Sequence, residues 1–231
     1  KQNKKISMNT KKITTITKYC LYALILFAGI NIISNFMQIS LLSSYFVYSE
    51  FSDDVFSVLA DKNDTRVLII DSIYGLLIVS SFFIIGRWVY SSAKINQLLE
   101  VKGLKFSPAW SIGWHLIPIA NLFKPYQALK EIYKASFNKE DWENEEIPTS
   151  FGAWWTTWII GNIFSNASMR MWFRLGEDMT YEDMNIMSYL DICSDFFQII
   201  CSLALLNIID SISKNHQSIQ FKTKYEQEET V

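Results

Sequence analysis

Four apolar blocks dominate this chain, and the need to bury each one constrains the fold more than any other feature. They run over about residues 19–45, 67–88, 151–173 and 187–212. A helix rises ~1.5 Å per residue, so about 20 apolar residues cross a hydrocarbon core of ~30 Å. A soluble core would show apolar stripes at a period of 3.6 or 2, whereas these residues come in blocks. Half of the 231 residues are hydrophobic, more than the short polar connections could cover in water. The sequence therefore predicts an all-α membrane protein with four transmembrane helices in two hairpins.

Lysine and arginine orient the spans. Residues 1–18 carry Lys1, Lys4, Lys5, Lys11, Lys12 and Lys18 and no acid, like the n-region of a signal peptide. The apolar run that follows continues to about Tyr48, well past a signal's h-region, with no small-x-small cleavage site. It reads as an uncleaved signal-anchor behind a basic cytoplasmic tail, with Met8 a candidate start. Segment 49–66 is acidic, segment 94–139 is rich in lysine, the turn at 177–183 is acidic, and Lys214, Lys222 and Lys224 mark the tail 213–231. The positive-inside rule puts both termini and the lysine-rich centre in the cytoplasm. A fifth span at 106–123 would carry the lysines at 124–139 and those of the C-terminal tail outside, so four spans fit better.

Between the hairpins lies an element at 106–137 that three prolines cut into pieces. Pro118 has no amide hydrogen and crowds the preceding turn, so a helix opening at Ser107-Pro108 should stop near Ile117. Such a piece covers about half of a hydrocarbon core, which makes it interfacial or re-entrant. Pro125 suits the first turn of a new helix. There Tyr126, Leu129, Ile132 and Tyr133 share one face, with Lys130, Glu131 and Lys134 on the other: an amphipathic helix for the headgroup level. Trp110 and Trp114 precede it, and Trp154, Trp155 and Trp158 open the third span, as an aromatic belt does. The alternative reading is a groove that recognises a lipid headgroup or a partner through Pro108, Trp110, Trp114, Pro118, Asn121, Pro125 and Tyr126.

Phe106-Ser107-Pro108-Ala109-Trp110, Gly113-Trp114, Ile117 to Leu122 and Lys124-Pro125-Tyr126-Gln127 together resemble the signature of a bacterial membrane-protein family. That family is catalogued as domain of unknown function 4328. The motif covers about twenty residues, and its prolines and tryptophans are rare residue types at set offsets. His115 stands where the pattern leads one to expect another aromatic. The resemblance implies a multi-pass membrane protein and supplies no activity, and the expected location is the bacterial cytoplasmic (inner) membrane.

Polar residues recur inside the spans. Asn31, Asn35 and Gln38 share a helical face in the first, Asn162, Asn166 and Arg170 in the third, and Asp191, Asp195 and Gln198 in the fourth, with Asp71 in the second. A charge in hydrocarbon costs ~2.5–3.5 kcal/mol on insertion scales, so these groups should face protein or water and find partners. Arg170 is expected to pair with Asp195 or Asp71. The layer Asn31, Asn35, Asp71, Asn162, Asn166, Arg170, Asp195 and Gln198 reads as glue between helices, or as a path for an ion or solute. The echoes Asn31-Ile-Ile-Ser-Asn35 and Asn162-Ile-Phe-Ser-Asn166 raise a parallel repeat of two hairpins.

No phosphate-binding glycine loop, HExxH, CxxC or nucleophile elbow occurs in the sequence. Cys20, Cys193 and Cys201 lie in apolar runs at no metal-binding spacing, and His115 and His216 lack companion ligands. No catalytic, cofactor-binding or metal residue is therefore assigned, and the net charge of −2 offers nothing to nucleic acid. The expected role is non-catalytic: a scaffold, regulator or partner-binding subunit among membrane lipids, with a membrane-protein partner or a second copy. The alternative is a small-solute or ion transporter or channel component that uses the Asn/Asp/Arg layer.

Overall fold

The computed structural model describes the backbone of residues 2–47 and 53–229, and the side chains of 10–44, 55, 57–176 and 178–219. The side chains of Lys1, Lys4, Lys5, Lys222 and Lys224, used above to orient the spans, lie outside the described set. Every regular element among the described residues is helical. They are α1 (Gln2–Val47), α2 (Asp53–Leu98), α3 (Trp110–Gly113), α4 (Lys124–Phe137), α5 (Ser150–Leu175) and α6 (Tyr181–Glu229). Three contain stretches long and apolar enough to cross a membrane: Thr10–Ser44, Ser57–Leu98 and Tyr181–Ile219. α5, with 26 residues and with Asn162, Asn166 and Arg170 along it, is not among these three.

The chain forms two compact units. The first comprises Lys1–Leu21, Ser80–Trp155 and Leu203–Val231; the second comprises Tyr22–Val79 and Thr156–Ser202.

The first unit has a dense apolar core in which Leu21, Trp88, Phe151, Ile208, Ile209 and Ile212 are all fully buried. Several of its buried polar groups are paired, as the low dielectric around them favours. The Trp88 indole N–H donates to Thr14 Oγ1 at 3.2 Å, and the Thr14 hydroxyl lies 3.4 Å from that of Ser213. Asn96 donates to the Ile132 carbonyl at 3.0 Å, and its own side-chain oxygen accepts from His216 Nε2 at 2.8 Å. Lys18 and Asp210 form an ion pair.

After α2 the chain reverses through Glu100 (φ 57°) and Gly103 (φ 78°). The second is a conformation that a side chain would strain, and Trp142 closes the same turn by donating to the Lys102 carbonyl at 2.8 Å. The prolines act where the sequence places them. α3 passes into a 3₁₀ turn over Trp114–Leu116, and Ile117, next to Pro118, is extended at φ −102°, ψ 112°. A second 3₁₀ turn covers Ala120–Leu122 and holds Asn121, and α4 opens with Pro125 in its first turn.

The second unit inverts the arrangement of a water-soluble core. Asn31, Ser34, Asn63, Ser168, Ser188 and Asp195 are buried, while Ile33, Leu68 and Leu76 are 63–70% exposed. With apolar residues outward and polar ones inward, the solvent that suits this surface is hydrocarbon.

Candidate functional site

The first candidate lies wholly within the first unit, in a cleft of about 720 Å³ walled by α4, the segment before α3, and Glu143. Four lysines line it: Lys105, Lys124, Lys130 and Lys134. Trp110 and Trp114 form the aromatic wall, their rings tilted against each other with centroids 4.7 Å apart. Two carboxylates also face the cleft, and both are already engaged. Glu143 pairs with Lys105 at 3.6 Å, and its carbonyl accepts from Lys134 at 2.9 Å. Glu131 accepts the backbone N–H groups of Lys105 and Phe106, one on each oxygen, at 2.8 and 3.0 Å.

Glu131 corrects the amphipathic reading of α4. It sits on the face assigned to solvent, yet it is buried, because the loop 105–106 needs an acceptor for two amide hydrogens. Burial pushes its carboxyl above the ordinary value of 4.5, opposed by those two amides and the Lys105 ammonium. The opposite face corrects the reading too. Leu129, Ile132 and Tyr133 are buried against protein rather than in headgroups, with the Tyr133 ring edge-on to Phe151 at 5.1 Å. The exposed apolar surface of this region is supplied instead by Trp110, Leu116, Ile119 and Leu122.

Of the recognition residues chosen from sequence, Trp110 and Trp114 line the cleft. Tyr126 does not: its ring packs on Phe151 and Trp155, with centroids 6.2 and 5.9 Å away. Pro108 and Pro125 are buried, Pro118 is exposed, and Asn121 Oδ1 is buried without a partner. The sequence reading missed the part of Lys124. Its ammonium lies 5.6 Å from the Phe106 ring centroid, 5.7 Å from that of Trp114 and 5.9 Å from that of Phe123. Such a cage holds a cation in place through the electron-rich ring faces. The one available signal was a lysine placed between aromatic runs, which sequence spacing alone does not single out.

His115, the departure from the family pattern, is packed edge-on to Phe82, and its Nδ1 donates to the Ile112 carbonyl at 3.1 Å. Burial lowers its basicity below the ordinary 6.5, and the carbonyl opposes that more weakly. It acts as a neutral packing group.

The second candidate is the polar layer of the second unit. Asn31 Nδ2 donates to Asp195 Oδ2 at 2.9 Å, and the Tyr74 hydroxyl donates to the same carboxylate. Asp71 and Asp191 act on that carboxylate as neighbouring like charges, and no other member hydrogen-bonds to it. Asn35, Asn162 and Asn166 donate to their own helix at the carbonyls of Asn31, Trp158 and Asn162. Gln198 donates to Ser202, one turn on. Asp71 and Arg170 are exposed, and Arg170 forms no ion pair among the described residues. The expected pairing of Arg170 with Asp195 or Asp71 is thus replaced by neutral donors to Asp195, because helix α5 turns Arg170 outward.

A neighbouring cluster was not foreseen. Gln38 donates to Ser188 at 3.0 Å, and Arg66 donates to the Ser34 carbonyl and to Asn63 Oδ1 at 2.9 and 2.7 Å.

An all-helical chain with membrane-type helices and a proline-broken aromatic segment defines a class of membrane-associated helical proteins. Within that class, the family model of Domain of unknown function (DUF4328) matches residues 53–214, and the chain belongs to that family. No curated protein and no solved structure matches it.

Proposed function

We propose that this is a four-span protein of the bacterial cytoplasmic membrane, both termini inside, that works non-catalytically by binding. The lysine- and tryptophan-lined cleft is its recognition surface. The observation that carries this reading is the cleft's construction. Both carboxylates are held by protein groups, which leaves Lys124, Lys130 and the exposed Trp110 free to meet a ligand. A photo-crosslinking residue at Trp110 in living cells is expected to give one discrete adduct. Exchanging Lys124 and Lys130 for Glu should remove it. The absence of any adduct, or one indifferent to those charges, would defeat the reading.

The exposed Asn162, Asn166 and Arg170 face of α5 suits a membrane-protein partner or a second copy, since such groups are costly against lipid. Orientation is checked separately. In a chain without Cys20, Cys193 and Cys201, a cysteine in place of the exposed Lys139 should react with an impermeant maleimide only after cells are opened. Reaction in intact cells would reverse the topology.

A second reading, transport of an ion or small solute, is favoured by Asp195. It is a buried carboxyl that accepts from the neutral donors Asn31 and Tyr74, with Asp191 and Asp71 acting on it as like charges, and buried acids of this kind serve proton and cation pathways. Asp195→Asn keeps the shape and hydrogen bonding. Transport predicts loss of proton or sodium flux in proteoliposomes with assembly unchanged, whereas glue between helices predicts no change in flux.

A further inference from the structure

The cleft's chemistry narrows what it binds, and the following rests on the binding role proposed for it. We propose that the cleft takes the phosphate of an anionic glycerophospholipid from the inner leaflet. Three independent observations converge on this ligand.

The first is charge. Four lysines face two carboxylates, and Glu131 is committed to two backbone amides, so the cleft presents a surplus of cations to whatever enters it. Lys124 is held among three aromatic rings and Lys130 has no ion-pair partner among the described residues, so neither charge is cancelled.

The second is a donor without an acceptor. The indole Nε1 of Trp114, a cleft-lining residue, is buried and meets no hydrogen-bond partner. Buried donors are almost always satisfied, and a ligand oxygen supplies what the protein does not. A phosphate diester offers oxygen acceptors to an indole N–H and to two ammonium groups at once.

The third observation separates a lipid from a soluble anion. Leu116 and Ile119 are 75% and 76% exposed, and Leu122 and Trp110 are exposed beside them. In water these side chains would be a liability; against acyl chains they are an anchor. Each belongs to the same short segment that carries Trp114 into the cleft. A headgroup in the cleft therefore brings its own acyl chains to this apolar rim.

The experiment uses the full chain purified into nanodiscs of phosphatidylcholine doped with phosphatidylglycerol, with lipid retained after detergent extraction counted by native mass spectrometry. Phosphatidylglycerol should be retained about tenfold over phosphatidylcholine. Lys124→Gln with Lys130→Gln should lower that preference about tenfold, since each lysine near an anionic surface contributes a several-fold factor. Trp114→Phe keeps the ring, removes the donor, and should lower retention several-fold in a protein that still folds. Lys139→Gln, away from the cleft, should change nothing.

Equal retention of the two lipids, or a preference untouched by both the lysine and the tryptophan variants, would overturn the proposal. Displacement of the lipid by an equal concentration of inorganic phosphate would also overturn it, in favour of a soluble anion. A crosslink from Trp110 to a protein, with no lipid preference, would leave the binding role standing and remove the lipid alone.

Discussion

Glu131→Ala should destabilise the first unit by about 3 kcal/mol, because it takes the charged acceptor from two part-buried backbone hydrogen bonds at once. Each hydrogen bond to a charged acceptor contributes ~1.5–3 kcal/mol, and the Lys105 and Phe106 amides have no second acceptor in place. Both oxygens accept, which is the geometry of the ionised form, and burial opposes that ionisation. Its pKa in the folded protein is therefore raised above the ordinary 4.5. The contribution tied to that shift is complete below about 4.5 and declines as the pH climbs through the raised value.

Glu131→Gln, which cannot ionise, should lack this decline while losing one acceptor. Denaturant unfolding of the three proteins in micelles, followed by tryptophan fluorescence between pH 4 and 8, measures both effects. A loss under ~1 kcal/mol for Glu131→Ala would mean that the 105–106 loop does not depend on it. Because that loop walls the cleft, Glu131→Ala should also reduce ligand binding.

Trp88→Ala should cost about as much by a different route. Trp88 is fully buried, and large-to-small changes of an aromatic core residue cost ~3–5 kcal/mol. Its indole also anchors Thr14, which in turn meets Ser213, so one side chain joins α1, α2 and α6. Trp88→Phe should recover most of the loss, and Thr14→Val alone should cost ~1 kcal/mol, the worth of a typical hydrogen bond. If Trp88→Phe were as damaging as Trp88→Ala, the hydrogen bond rather than the packing would dominate. Thermal unfolding in one fixed detergent orders the three variants.

These two positions mark different depths of legibility. Trp88 falls at the end of an apolar block, where burial follows from local composition. Glu131 lies among lysines on what a helical wheel draws as the solvent face. Only the approach of a loop 25 residues earlier in the chain makes it a buried acceptor. The polar layer divides the same way. Spacing puts Asn31 and Asn35 on one face and Asp195 and Gln198 on another, but the rotation of each helix about its axis decides that Asn31 meets Asp195 while Arg170 does not. Tyr74 joined Asp195 without any signal, because a tyrosine in an apolar run looks like core.

The amino-acid sequence by itself determined where helices are interrupted and how long the apolar stretches run. Both follow from covalent geometry and from the length of apolar chain that lipid requires. The missing amide of Pro118 ends a helix whatever surrounds it, and Ile117 is extended accordingly. What only the tertiary structure decided is which polar groups satisfy one another. That depends on the phase and slide of one helix against the next, which the 3.6-residue period leaves open. The cleft is of this second kind, since Lys105, Trp114, Lys124 and Glu143 are brought from separate turns and helices into one wall.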